Sequence, residues 1–145
     1  MSEPRIPLEL SEAAMATFLA LADFLIPASP PMPVFSAVGR REAVEQNLLF
    51  RPDIREAFFR GLAKASGKPP EPALEELSTG DGEAFSAIGL IAVATYYMTP
   101  SIRALIGYPG QESVTYDADA IPPYLLNGML EPVMARGKRY RSTPR

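Results

Sequence analysis

The sequence predicts an all-α fold: a single-domain helix cluster around a buried apolar helix at about residues 83–98. Three observations carry this expectation. Apolar residues recur at intervals of three and four, the period of a helix with one buried face. The 16 prolines among 145 residues fall in groups (Pro4 and Pro7, Pro27 to Pro33, Pro69 to Pro72, Pro122 and Pro123) and so read as joints between short elements. Residues Glu83 to Met98, EAFSAIGLIAVATYYM, are apolar all round, yet shorter than the ~20 residues that span a bilayer. A chain of this length builds one domain with a core of its own, here 1–145 with a proline-rich leading segment (1–9) and a basic tail (136–145).

The elements follow in order. Ser11 caps a first helix, whose stripe is Leu10, Ala14, Phe18, Leu21 and Leu25. Pro27 disfavours a helical Ile26 and ends it near Leu25. Ala28 to Phe35 is an extended, proline-rich connection. Ser36 is expected to cap a second helix over Ala37 to Leu49, with Val38, Val44, Leu48 and Leu49 on its contact side. Pro52 or Asp53 starts a third helix, with Ile54, Phe58, Leu62 and Ala65 as its stripe and Gly67 as its C-terminal cap. A short fourth helix carries Leu74 and Leu77, and Ser78 to Gly82 is expected to be a loop. Asp81 caps the central helix. Its β-branched residues leave a buried strand open, but its length favours helix.

Thr99-Pro100 opens another helix, closed by Gly107. Tyr108-Pro109-Gly110-Gln111 has the pattern of a type II turn, with Gly110 supplying the positive φ. Val114 to Tyr116 offers a brief strand without a clear partner. A last helix starts at Ile121-Pro122-Pro123, is bent or restarted by Pro132 and is closed by Gly137.

Composition bounds the chemistry. The sequence has no cysteine and no histidine, so disulfides, thiolate metal sites, a cysteine nucleophile and an imidazole base are excluded from it. It contains neither GxGxxG nor GxxxxGK[ST]. Gly80-Asp81-Gly82 reads as a loop and cap rather than an anion site, because acids flank it. Glu112, Asp117 and Asp119 cluster without the spacing of a calcium loop. Ser36, Ser78, Ser86 and Ser101 have no activating base. Asp23 stands near the C-terminal end of an apolar helix, where a structural bond to the following loop or an arginine is expected. No catalytic, cofactor or metal residue is assigned.

Residues 1–135 hold 9 basic and 17 acidic side chains, and the last ten residues hold five basic and none acidic. An acidic body is a poor match to nucleic acid. The basic tail suits solvent or an acidic patch on a partner. No apolar run is long enough to span a membrane, and the opening MSEPRIPLEL lacks the pattern of a signal peptide, so the expected compartment is the cytoplasm. All six tyrosines lie in the C-terminal third. Tyr96 reads as core. Tyr97, Tyr108 with Pro109, Tyr116 and Tyr124 are the candidates for a partner-binding surface, since tyrosine joins an apolar body to a polar tip.

Two stretches resemble a known family. One is Leu10-Ser11 followed by Phe18-Leu19-Ala20-Leu21-Ala22-Asp23-Phe24-Leu25-Ile26-Pro27. The other is Tyr96-Tyr97, then Pro100-Ser101-Ile102-Arg103-Ala104-Leu105-Ile106-Gly107-Tyr108-Pro109-Gly110. Together they resemble the gluconate 2-dehydrogenase subunit 3 family, the small subunits of flavin-dependent dehydrogenases of the glucose–methanol–choline type. The resemblance implies a helical, non-catalytic accessory subunit with no cofactor of its own. Its large catalytic partner would hold FAD and oxidise an alcohol or sugar hydroxyl. Within these motifs Asp23, Pro27, Gly107 and Gly110 are expected to be structural. Members often open with a twin-arginine export signal, which this sequence lacks; a periplasmic complex would then be exported on its partner's signal. The rival reading is a stand-alone helical module that binds a small ligand or another protein. A cofactor-independent enzyme using Asp and Tyr is the third.

Overall fold

The computed structural model describes residues 10–113, 115 and 117–138. Among them it is all-α, with no strand and a single isolated bridge, Ser29 to Met32. The chain divides into two units, one running to Gly110 and one starting at Gln111, where the sequence was read as one domain. The division has a physical basis: every buried residue belongs to the first unit, and none of the described residues from 111 on is buried.

In the first unit, α1 (Glu12–Leu25) begins at Ser11, whose Oγ accepts the Ala14 N–H at 3.1 Å. It ends before Pro27 as expected, with the Ile26 N–H bonded to the Ala22 carbonyl. The next helix departs from expectation. Ser36 does not cap it; Ser36 lies inside a 3₁₀ turn, Phe35–Ala37, and α2 (Arg41–Phe50) starts four residues later than read. Burial of Phe35 dictates this. Its ring is fully buried, its carbonyl accepts the Val38 and Gly39 N–H groups at 3.0 and 2.8 Å, and a Cβ on Gly39 would overlap the ring.

Pro52–Ile54 forms a second 3₁₀ turn leading into α3 (Arg55–Ala65). Asp53 caps nothing, because Arg51 takes its carboxylate at 2.7 and 2.8 Å. Helix α4 (Pro70–Gly80) absorbs Ser78, Thr79 and Gly80, which the sequence reading left in a loop. The Ser78 and Thr79 hydroxyls donate back to the Glu75 carbonyl at 2.8 and 3.0 Å, so these residues are satisfied within the helix.

Asp81 alone separates α4 from α5 (Gly82–Met98). Helix α5 is the axis of the unit, in contact with α1, α2, α3, α4 and α6 (Pro100–Leu105). Its inner side buries Ala84, Ala87, Ile88, Ile91, Ala92, Thr95 and Tyr96. Four aromatic rings run through the core. Phe58 meets Phe18 edge-on at 5.2 Å, Phe18 meets Phe35 at 5.5 Å, and Phe35 stacks on Tyr96 at 6.4 Å. The Tyr96 hydroxyl donates to the Pro33 carbonyl at 2.6 Å, and burial pushes its pKa up.

Asp81 is also the electrostatic hub. Its carboxylate accepts from Arg60 (2.8 and 3.1 Å), from Lys64 (2.7 Å) and from the Ala84 N–H (3.2 Å). These bonds, Arg60's foremost, hold the Asp81 carboxyl well below the usual carboxylate range. A folded-state pKa below the unfolded value adds stability that is fully present above the ordinary carboxylate pKa of ~3.9, declines as pH falls below it, and is gone only once pH has fallen through the lowered folded-state value. Asp81→Asn keeps a capping acceptor but not the ion pairs. We therefore expect the native chain to melt several degrees above the variant at pH 6, with the two curves converging below about pH 4. Parallel curves across that range would show that the ion pairs contribute nothing.

In the second unit, α7 (Pro123–Leu126) and α8 (Glu131–Ala135) stand where one bent helix was expected. Gly128, at φ +79°, breaks the run between them. Val114 and Tyr116, on which the brief strand rested, lie outside the described residues.

Candidate functional site

A solvent-facing helix face is normally polar. Helix α5 departs from this: the sequence carries no charged residue between Glu83 and Arg103. The helix was read as apolar all round and therefore buried; it is buried on one side only. Leu90, Val93 and Tyr97, spaced by three and four, form an exposed outer stripe, with Met98 beside its end. Beyond Thr99, Leu105 of α6 and Ile106, its C-terminal cap, are exposed as well. Thr99 stands at the start of α6, but its hydroxyl donates back to the Thr95 carbonyl at 2.9 Å instead of capping.

Gly107 closes α6 at φ +67°, and the chain turns into Tyr108. Arg103 holds this corner. Its carbonyl accepts the Tyr108 N–H at 2.9 Å, its Nη2 donates to the Pro109 carbonyl at 2.9 Å, and its guanidinium lies 5.5 Å from the centre of the Tyr108 ring. Gly110 takes φ +92°, as the type II pattern requires, and the Arg103 guanidinium occupies the space of a Cβ there. Tyr108 is 54% exposed and Tyr97 46%, so both are offered to solvent. Tyr97 leans edge-on against the buried Tyr96 at 5.3 Å, which fixes its ring from behind.

Of the sequence-predicted surface residues, Tyr97, Tyr108 and Pro109 are exposed in the first unit and Tyr124 in the second. Tyr116 lies outside the described residues. In the second unit Ile121, Leu125, Leu126, Met129, Val133 and Met134 are exposed with Tyr124. The sequence reading missed Leu90 and Val93. Their signal was the absence of charge over five helical turns combined with a width of apolar surface greater than one core can cover.

Asp23 and Asp117 make hydrogen bonds within the fold. Asp23 Oδ1 accepts the Ser36 N–H at 2.7 Å, tying the end of α1 to the turn that buries Phe35. We expect Asp23→Ala to cost about 1 kcal/mol of stability, with Asp23→Asn recovering most of it, since the amide oxygen accepts the same bond. Urea titration of the three chains measures this; equal midpoints would remove the structural role. Asp117 Oδ1 accepts the Asp119 N–H at 3.0 Å in a local turn. Among the described residues no three Asp, Glu, His or Cys side chains converge as a metal site.

An open cleft of about 300 Å³ lies between α2 and the end of α5, with Val38, Arg40, Asn47, Phe50, Thr95 and Met98 among its walls. At its base the buried Asn47 donates from Nδ2 to Thr95 Oγ1 at 3.0 Å. A hollow of about 530 Å³ beside Leu90 is lined by Arg51 and Asp53, which pair with each other, and by Glu83.

Comparison with family models, curated proteins and solved structures finds no match to this chain.

Proposed function

We propose that this chain is a non-catalytic accessory subunit that binds and stabilises a large FAD-dependent dehydrogenase acting on alcohol or sugar hydroxyls. The observation that carries the partner-binding part is the uncharged, exposed stripe Leu90, Val93 and Tyr97 on the central helix. Exposed apolar surface of this kind, with further exposed apolar residues in α6 and at Tyr108, suits a protein–protein interface. The described apolar side chains of the second unit, Tyr124, Leu125, Leu126 and Met129 among them, are exposed, and burial against a partner would suit them too. The dehydrogenase part rests on the resemblance of Phe18 to Pro27 and of Pro100 to Gly110 to the gluconate 2-dehydrogenase subunit 3 family. In this reading flavin and substrate belong to the partner, and the present residues supply binding surface and stability.

Co-expression with a large glucose–methanol–choline type subunit encoded beside it tests the reading. The expected result is a complex of fixed stoichiometry that carries flavin absorbance and oxidises an alcohol or sugar, with the large subunit less soluble when produced alone. Two well-behaved proteins that do not associate would overturn it. Stoichiometric flavin in the isolated small chain would overturn its non-catalytic assignment.

A further inference from the structure

We propose that the stretch from Ile121 onward seats this chain on an anionic lipid surface. Its apolar side chains enter the boundary between headgroups and acyl chains, and the basic side chains that follow meet the lipid phosphates. A lipid surface, rather than the flavoprotein, is then what covers the second unit. The stretch is separate in sequence from the stripe on α5, so the two partners do not compete for the same residues.

Between Ile121 and Met134, 14 residues expose seven large apolar side chains, Leu126 at 74% and Met134 at 75% the most open of them. None of the described residues from 111 on is buried. Tyr124, Leu125 and Leu126 are consecutive in α7 and all exposed. Successive helical residues point ~100° apart, so these three side chains sweep about 200° of the helix's circumference. A fluid boundary of acyl chains accommodates apolar groups aimed over so wide an arc. Among the described residues no helix is long and apolar enough to cross a membrane, and Gly128 at φ +79° breaks the run between α7 and α8. In this role the stretch lies on a bilayer and does not span it.

Charge selects the surface. From Ala120 onward the sequence holds five basic side chains and a single acid, Glu131, whereas the 119 residues before it hold 9 basic and 16 acidic. All five cations, Arg136, Lys138, Arg139, Arg141 and Arg145, fall within 11 residues after Met134. Arg136 and Lys138 form no ion pair among the described residues. Arg136 Nε donates to the Pro132 carbonyl at 3.2 Å, which holds the first of these charges against α8. Apolar side chains followed at once by unpaired cations match the two layers of an anionic bilayer surface, phosphate outside and hydrocarbon beneath. Nucleic acid would meet the charge and leave the apolar side chains in water. An apolar pocket on a protein would bury those side chains and leave the charge unused.

The test floats the full chain with vesicles of phosphatidylcholine alone and with vesicles containing about 30% phosphatidylglycerol. At about 0.1 M salt we expect binding to the anionic vesicles only, falling at least about tenfold at about 0.5 M salt. Lys138→Gln with Arg139→Gln should weaken it roughly 25-fold, at about fivefold per cation. Leu126→Ser with Met134→Ser should weaken it about tenfold or more. Neither pair should move the melting temperature, since the buried core belongs to the first unit. Absence of binding at millimolar anionic lipid overturns the proposal, as does equal binding to phosphatidylcholine alone. Binding indifferent to the serine pair overturns it by reducing the stretch to a charged arm, and duplex DNA bound as tightly as the vesicles does so by making it a general polyanion site. Loss of co-purification with the large subunit in both pairs, without vesicle binding by the native chain, assigns the stretch to the protein partner instead. Vesicle binding without a flavoprotein complex supports the lipid surface and removes the dehydrogenase reading alone.

Discussion

Phe35→Ala is expected to cost about 3–5 kcal/mol, a large part of the ~5–15 kcal/mol that holds a domain of this kind together. The ring is fully buried and lies between Phe18 and Tyr96, so its removal leaves a cavity in the middle of the aromatic row. Its backbone is bound as firmly: the N–H donates to the Ile26 carbonyl at 3.2 Å, and the carbonyl accepts from Val38 and Gly39. The local turn therefore cannot collapse to fill the space, and the cavity cost is incurred in full. Phe35→Leu keeps part of the volume and should lose less. Urea denaturation measures both: the midpoint should fall in the order wild type, Leu, Ala, with the slope unchanged. A loss below about 1 kcal/mol for Phe35→Ala would mean that the row of rings does not organise the core.

Where local signals agree with burial, the fold is legible in the residues. Ser11 before an apolar stripe, Pro27 after it and Asp81 before the central helix each acted as read. Expectation failed where a long-range contact overruled a local one. Ser36 has the chemistry of a cap, but burial of Phe35 against Phe18 and Tyr96 draws the chain into a 3₁₀ turn and leaves Ser36 donating to Asp23. Ser78 to Gly80 looked like a loop by composition, and back-bonding to Glu75 carries them in the helix. The site was half legible. Tyrosine chemistry pointed to Tyr97 and Tyr108, and both are exposed. The stripe of Leu90 and Val93 was not separable from core in one dimension, because a helix apolar on every side does not say which side its neighbours cover. Asn47 and Arg40 carried no local signal at all; their meeting in one cleft is a product of how α2 lies on α5.

The other large effect is expected on that outer stripe. Leu90→Lys and Val93→Lys, alone or together, should abolish co-purification with the catalytic partner while the isolated chain keeps its melting temperature. Both halves follow from where the residues stand. Lysine is at least as good a helix former as valine and nearly as good as leucine, and both positions face solvent in the isolated chain, so the fold loses little. At an interface the same ammonium groups would be buried against apolar surface without a counter-charge, since the sequence offers none between Glu83 and Arg103. An interface hot spot carries ~2 kcal/mol or more, a loss of about thirtyfold or greater in affinity, and a buried unpaired ammonium adds its own desolvation cost. Tyr108→Ala, at the corner held by Arg103, belongs to the same surface and should weaken the complex without unfolding the chain. Glu42→Ala, in the first turn of α2 and exposed, is the control and should change neither property. Unimpaired co-purification of the double lysine variant would place the interface elsewhere. A wild-type chain that self-associates, and becomes monomeric in the variant, would identify the stripe as a contact between copies of this chain.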